Sequence, residues 1–215
     1  MIQLSTLFFR PKSRSFLTLV FGGIFLLTAA CAPLFSPGEP PAYIQFMAKF
    51  ESMNSGNAKT KKMQLSVAAP TAPAELNGDS IILLLKNREF RRLEGYRWVS
   101  SVPELMQRSI IAGLESSRAF ASVSPAGAGI RPHARLLCDI DEFAFGYAEE
   151  KSLPNATVAV TFRLVDFTSG NVLGTLPILK TANVQSNEIE HMATAAEKLT
   201  SDIVRELNDW IVTIY

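Results

Sequence analysis

Arg135-Leu136-Leu137-Cys138-Asp139-Ile140-Asp141-Glu142-Phe143-Ala144-Phe145 reads as one long strand in two registers. Leu136, Cys138 and Ile140 alternate on one side, and Phe143 and Phe145 then carry the apolar side one step out of phase. Strand side chains alternate with period two, so all five reach one core only if an extra residue intervenes. A β-bulge near Asp141-Glu142 is therefore expected. Ala156 to Phe167 alternates without a break, with Val158, Val160, Phe162 and Leu164 inward. Thr168-Ser169-Gly170-Asn171 supplies a turn, and Val172 to Ala182 completes an antiparallel meander. Pro177 has no amide proton to donate, which places this last strand at an edge or a break.

Helical periodicity flanks the meander. On its N-terminal side Ser101-Val102-Pro103-Glu104 has the form of a capping box with proline in the first turn. Val102, Met106, Ile110 and Leu114 then recur every four residues and Leu105 widens the stripe. On its C-terminal side Asn187 with Glu190 predicts the start of a helix running to about Val212. Its buried stripe is Ile189, Met192, Ala196, Leu199, Ile203, Leu207 and Trp210 or Ile211. Further upstream, Met63 to Ala69, Asp79 to Lys86 and Arg91 to Val99 read as strands, with Pro70 to Gly78 as a loop. The pattern predicts an α/β (α+β) fold: a mixed, largely antiparallel sheet with two main helices packed on one face.

The N-terminal part is a different kind of polypeptide. Among residues 1–30 there are 17 hydrophobic residues and three charges, Arg10, Lys12 and Arg14, and the first acidic residue is Glu39. Setting those three bases aside leaves 18 basic against 20 acidic residues, so the remainder carries no basic field of the kind a nucleic-acid partner requires. Met1 to Ala30 reads as an export signal, with a basic start, an apolar run from Phe16 to Leu27, and small residues Thr28, Ala29 and Ala30 before Cys31. Leu26-Leu27-Thr28-Ala29-Ala30-Cys31 resembles a lipobox, in which cleavage falls between Ala30 and Cys31 and the Cys31 sulfur carries lipid. Leu27 stands one place further from the cysteine than the usual lipobox leucine. A transmembrane anchor is the alternative, because positions 15–38 are uncharged. The apolar run is shorter than the ~20 residues a span needs, and Gly22-Gly23 interrupts it. Residues 31–62 are rich in proline, glycine and serine and read as a tether in which Tyr43-Ile44-Gln45-Phe46-Met47 offers a short strand, with a single folded domain over 63–215.

Chemistry is sparse in this chain. His133 and His191 lie far apart without metal spacing, and no Gly-x-Ser-x-Gly elbow occurs. With Cys31 lipidated, Cys138 is left without a disulfide partner and reads as a buried residue. Gly127-Ala128-Gly129 lacks the third glycine or the Lys-Ser/Thr of a phosphate loop. Asp139, Asp141 and Glu142 form a carboxylate cluster that reads as a solvated strand face before it reads as a cation site. No catalytic residue, metal site or cofactor is assigned. Arg88, Arg91, Arg92 and Arg97, with Tyr96 and Trp98 among them, make a basic and aromatic segment suited to lipid headgroups or an acidic partner, or to protecting an edge strand by charge.

Several segments in order carry a family resemblance. They are Phe90-Arg91-Arg92-Leu93-Glu94-Gly95-Tyr96-Arg97-Trp98 with the Pro103-Glu104-Leu105-Met106 helix start, Leu137-Cys138-Asp139-Ile140-Asp141-Glu142-Phe143, Val160-Thr161-Phe162-Arg163-Leu164-Val165-Asp166, and Asn208-Asp209-Trp210-Ile211. Together they resemble the ABC-type transport auxiliary lipoproteins, which include the outer-membrane lipoprotein of the paraquat-inducible intermembrane transport operon. The resemblance implies a non-enzymatic component whose partners are a mammalian-cell-entry domain protein and its ABC transporter. It implies a domain held to the outer membrane, facing the periplasm, through the lipid on Cys31, and it leaves room for a homo-oligomer. Tyr96, Arg97 and Trp98 are the expected partner contacts. A periplasmic lipid carrier and an assembly chaperone for an outer-membrane β-barrel are the alternative functions.

Overall fold

Eight strands and two helices follow one another in the computed structural model, which describes residues 39–48, 50, 61–147 and 152–215. The strands are β1 (Ala42–Ile44), β2 (Lys61–Val67), β3 (Ser80–Leu84), β4 (Phe90–Trp98), β5 (Phe120–Pro125), β6 (Ala134–Gly146), β7 (Asn155–Asp166) and β8 (Val172–Asn183). Helix α1 (Val102–Ser116) joins β4 to β5, and α2 (Ile189–Ile214) closes the chain. Cys31, Ala30 and the leader lie outside the described residues.

Strand β6 organises the sheet. One edge pairs along its whole length with β7, antiparallel, and β7 pairs in turn with β8. The other edge is shared: β2 runs parallel to the first part of β6, at Leu65 to Val67 opposite Ala134 to Leu136, and β3 runs parallel to its end, at Leu83 and Leu84 opposite Phe145 and Gly146. From β3 the sheet continues to β4 and β1, and from β2 it continues to β5. The long ladders are antiparallel and the parallel pairings are short, so the sheet is mixed and largely antiparallel as the sequence predicts. The register between β6 and β7 shifts between Ile140 and Glu142, which is the expected bulge. Across it Leu136, Cys138, Ile140, Phe143 and Phe145 all reach the core.

Both helices bury their stripes on one side of this sheet. Ser101 caps α1, its hydroxyl accepting from the Glu104 amide at 3.4 Å. The Glu104 carboxylate closes no reciprocal box, because it accepts instead from the Ser100 hydroxyl and the Arg108 guanidinium. Gly113 lets α1 approach α2: a Cβ there would stand 2.4 Å from Val204 Cγ1 and 2.6 Å from Phe50 Cζ. Helix α2 begins later than Asn187 predicts, with Glu188 at its cap position and no side-chain cap bond. Asn187 is occupied elsewhere, its Oδ1 accepting from the Tyr147 hydroxyl at 3.3 Å. Strand β5 is not legible in the sequence, where Ser124 to Pro132 reads only as a loop.

The folded part starts upstream of Met63. Strand β1 pairs parallel with β4, Ala42 to Ile44 opposite Tyr96 to Trp98. Phe46 is then 1% exposed, its ring 5.0 Å from Trp98 edge-on and 5.0 Å from Phe143 in a stacked arrangement. Composition assigns this stretch to a tether because its neighbours are proline and glycine. Burial of the Phe46 ring, worth roughly 1.5–3 kcal/mol of transfer free energy, adds to the β1–β4 pairing in drawing this stretch into the core.

Candidate interaction surfaces

Period-two alternation divides the residues expected to meet a partner. Trp98 is 1% exposed and completes the aromatic cluster with Phe46 and Phe143, so it is a core residue, and its expected role as a partner contact is corrected. Tyr96 lies on the same side of β4, half-buried against the core. Arg97 points the other way. Its guanidinium donates to the Leu93 and Tyr96 carbonyls at 3.0 and 2.8 Å and stands 3.7 Å from the Asp79 carboxylate. Three consecutive strand residues cannot all face one partner. Tyr43 of β1, paired with Arg97 and largely exposed, joins it on the outer face. The sequence singles out Tyr43 only as part of a possible strand. Its neighbour Met47 is also exposed, next to buried Phe46.

Strand β4 is not an edge strand over its whole length. It is flanked by β3 and, at Tyr96 to Trp98 only, by β1. Its N-terminal part forms one wall of a surface cleft of about 640 Å³ lined by Leu83, Leu85, Lys86, Glu89, Arg91 and Tyr147 among others. Arg91 bonds Glu89 there at 2.9 Å and holds its carboxyl below the ordinary range, whereas burial pushes the Tyr147 hydroxyl up. The cleft presents mixed charges, of which Arg91 and Glu89 are paired with each other.

The outer side of β6 carries the carboxylate cluster. Asp139 accepts from the Thr71 hydroxyl and from the Arg163 guanidinium, and these bonds, Thr71 first, hold its carboxyl below the ordinary range. Asp141 accepts from Thr161 at 3.4 Å. The bulge leaves Asp141 without a ladder partner between Asp139 and Glu142, and among the described residues no three His, Cys, Asp or Glu side chains are grouped to hold a metal. Behind this face Cys138 is 2% exposed, and burial raises its thiol pKa, the opposite of what an activated nucleophile requires. His133 is structural: its Nδ1 accepts from the Gln64 amide at 3.1 Å. His191 Nδ1 lies 2.6 Å from the Ser186 hydroxyl at the start of α2. The space between the helices and the sheet is filled by side chains such as Leu136, Ile140, Phe162, Ile203 and Leu207, each 1% exposed or less.

Residues 49–208 match the family described as ABC-type transport auxiliary lipoprotein component. No curated protein matches the chain. Among solved structures, a Xanthomonas campestris protein of the family DUF330 aligns at a TM-score of 0.72 and 20% identity, covering 80% of this chain and 96% of that one. An uncharacterised protein aligns at 0.63 and 13% identity, covering 80% and 99%. A PelC dodecamer from Paraburkholderia phytofirmans aligns at 0.46 and 15% identity, covering 72% and 94%. At these identities the two stronger alignments speak for a shared fold.

Proposed function

The chain belongs to the ABC-type transport auxiliary lipoprotein component family, and from that premise we propose that it anchors the far end of an ABC transport assembly at the outer membrane. In this reading Cys31 is the mature N-terminus and carries the lipid. The folded domain then presents a docking surface in the periplasm to a mammalian-cell-entry domain protein, which with its ABC transporter spans the periplasm from the inner membrane in a lipid-transport system. The protein itself performs no chemistry. The family match over residues 49–208 is the observation that carries the proposal.

On this reading the docking surface is the β1–β4 margin. Along the β1–β4 margin, Tyr43 and Arg97 share the outer face and Tyr96 borders the core, while Trp98, Phe46 and Phe143 hold the margin rigid from beneath. An aromatic and a guanidinium on a rigid strand pair are the residue types enriched at energetic centres of protein interfaces. Copies of the same chain are a second candidate for this margin.

A C-terminally tagged chain, purified from gently solubilised native membranes and analysed for both protein and lipid, tests the reading. Recovery of a mammalian-cell-entry protein is expected, reduced when Tyr43 and Arg97 are both replaced by alanine. Recovery of a lipid alone, or of an outer-membrane β-barrel instead, contradicts it.

A further inference from the structure

One end of the domain gathers exposed apolar side chains that no part of the docking reading uses. It is the end where β6 and β8 begin and where β7 and α2 finish. Ile130, Phe167, Val172, Leu173 and Ile214, five of the twelve exposed large hydrophobics among the described residues, all lie there. They are tied together by the backbone. The Phe167 amide donates to the His133 carbonyl at 3.0 Å, and Ile130 and Phe167 line one open cleft of about 650 Å³ with Arg131 and Arg135. Next to Leu173, a Cβ on Gly174 would stand 2.9 Å from the Trp210 ring and 3.1 Å from Ile214, so the end of α2 is held against the start of β8.

Cations are interleaved with these apolar groups. The Arg135 guanidinium lies 5.2 Å over the Phe167 ring, a geometry in which the ring supports the charge without neutralising it. Arg131 is on the same cleft, and Arg118 stands two residues before β5, whose first residue pairs at this end with that of β2. The acids nearby are differently placed. Asp166 is committed to its own turn, its Oδ1 accepting from the Thr168 and Ser169 amides and the Ser169 hydroxyl, and Asp209 lies more than a helical turn before Ile214.

Apolar side chains with arginines between them, gathered at the ends of β6, β8 and α2 and on the loops beside them, suit the boundary of a lipid bilayer, where apolar groups enter among the acyl chains and guanidiniums meet phosphates. We propose that this end of the domain lies against a membrane surface containing anionic phospholipid, with Ile130 and Phe167 inserted and Arg131 and Arg135 at the phosphates.

The length of the leash fits this placement, and this part of the argument rests on the proposed lipidation of Cys31. Because the fold begins at Ala42, the chain from Cys31 has at most eleven residues, an extended reach of about 40 Å. A fold beginning near Met63 would have roughly 110 Å. Strand β1 stands three strand spacings from β6 and about eight residues of rise from its start, so the apolar end is roughly 30 Å from Ala42, inside the shorter leash.

The full chain, reconstituted in vesicles of phosphatidylcholine with one-third phosphatidylglycerol, tests the proposal. Single cysteines at Ile130→Cys and, as a control on the outer sheet face, Leu179→Cys carry an environment-sensitive fluorophore, and quenching by brominated lipid is read. Cys138 is buried and stays unlabelled; the parent chain without an introduced cysteine reports separately whether Cys31 is blocked, and so whether lipidation itself has failed. The expected result is quenching at 130 and none at 179, with the signal at 130 falling to the control level in Arg131→Glu/Arg135→Glu. Equal quenching at the two positions overturns the proposal, as does a 130 signal that persists after both charge reversals. A probe at 130 untouched by lipid but shielded when a protein partner is added overturns it in favour of a protein interface.

Discussion

The β6–β7–β8 meander and the β1–β4 margin bury their cores in opposite ways. In the meander each strand pairs with its neighbour in sequence over eleven or twelve residue pairs, and the apolar residues alternate along each strand. In the margin the pairings are short and join segments far apart: Ile44 meets Trp98, and Phe46 stacks on Phe143. Local pattern specifies the first region. Non-local aromatic packing specifies the second, and the leash, the docking surface and the rigidity of the anchor point all depend on it.

Breaking the aromatic cluster is the strongest test of that contrast. Trp98→Ala leaves a large cavity beside Phe46 and Phe143 and is expected to cost about 3–5 kcal/mol in denaturant unfolding. Phe46→Ala should cost about 3 kcal/mol or slightly more, close to the effect of Phe162→Ala in the meander. A cost under about 1 kcal/mol would return residues 42–48 to the tether, because surface substitutions fall within that range. Gly113→Ala forces Val204 and Phe50 apart where the helices cross, at an expected ~1–3 kcal/mol. Ser101→Ala removes the cap of α1 for about 1 kcal/mol, with Ser101→Gly losing less.

The smallest effect is electrostatic and belongs to the meander. The Asp139 carboxyl is held below the ordinary range by Thr71 and Arg163, so the folded state binds its proton less readily than the unfolded state. Its contribution is therefore present above the ordinary aspartate pKa of about 3.9 and is lost as pH falls through and below that value. Thermal unfolding between pH 5 and 3 should be less pH-dependent in Asp139→Asn than in the parent. The side chain is about one-third exposed, so solvent screening keeps the difference small.

Legibility in the sequence follows the same division. The bulge was readable because Ile140 and Phe143 fall out of phase, and the edge position of β8 because Pro177 cannot donate to a ladder. Both helical stripes are readable at three- and four-residue spacing. Strand β5 was not, since Phe120-Ala121-Ser122-Val123 is short and its partner β2 lies more than fifty residues away. The start of the fold is hidden for the same reason: the proline and glycine content around Phe46 describes local chain preference and says nothing of a ring 5.0 Å away on β4. Of the expected contacts, Tyr96, Arg97 and Trp98 are adjacent in sequence, yet alternation sends Arg97 outward and Trp98 inward. Tyr43, which shares the outer face with Arg97, carries no motif and becomes visible only through pairing.

Cross-linking of the intact cell envelope, with identification of the proteins joined to the domain, tests the anchoring and docking account most directly when the parent is compared with Cys31→Ala. The account predicts cross-links from the domain to a mammalian-cell-entry protein in the outer-membrane fraction, lost or sharply reduced without Cys31. Cross-links to a β-barrel alone, or the same cross-links undiminished in Cys31→Ala, would contradict it.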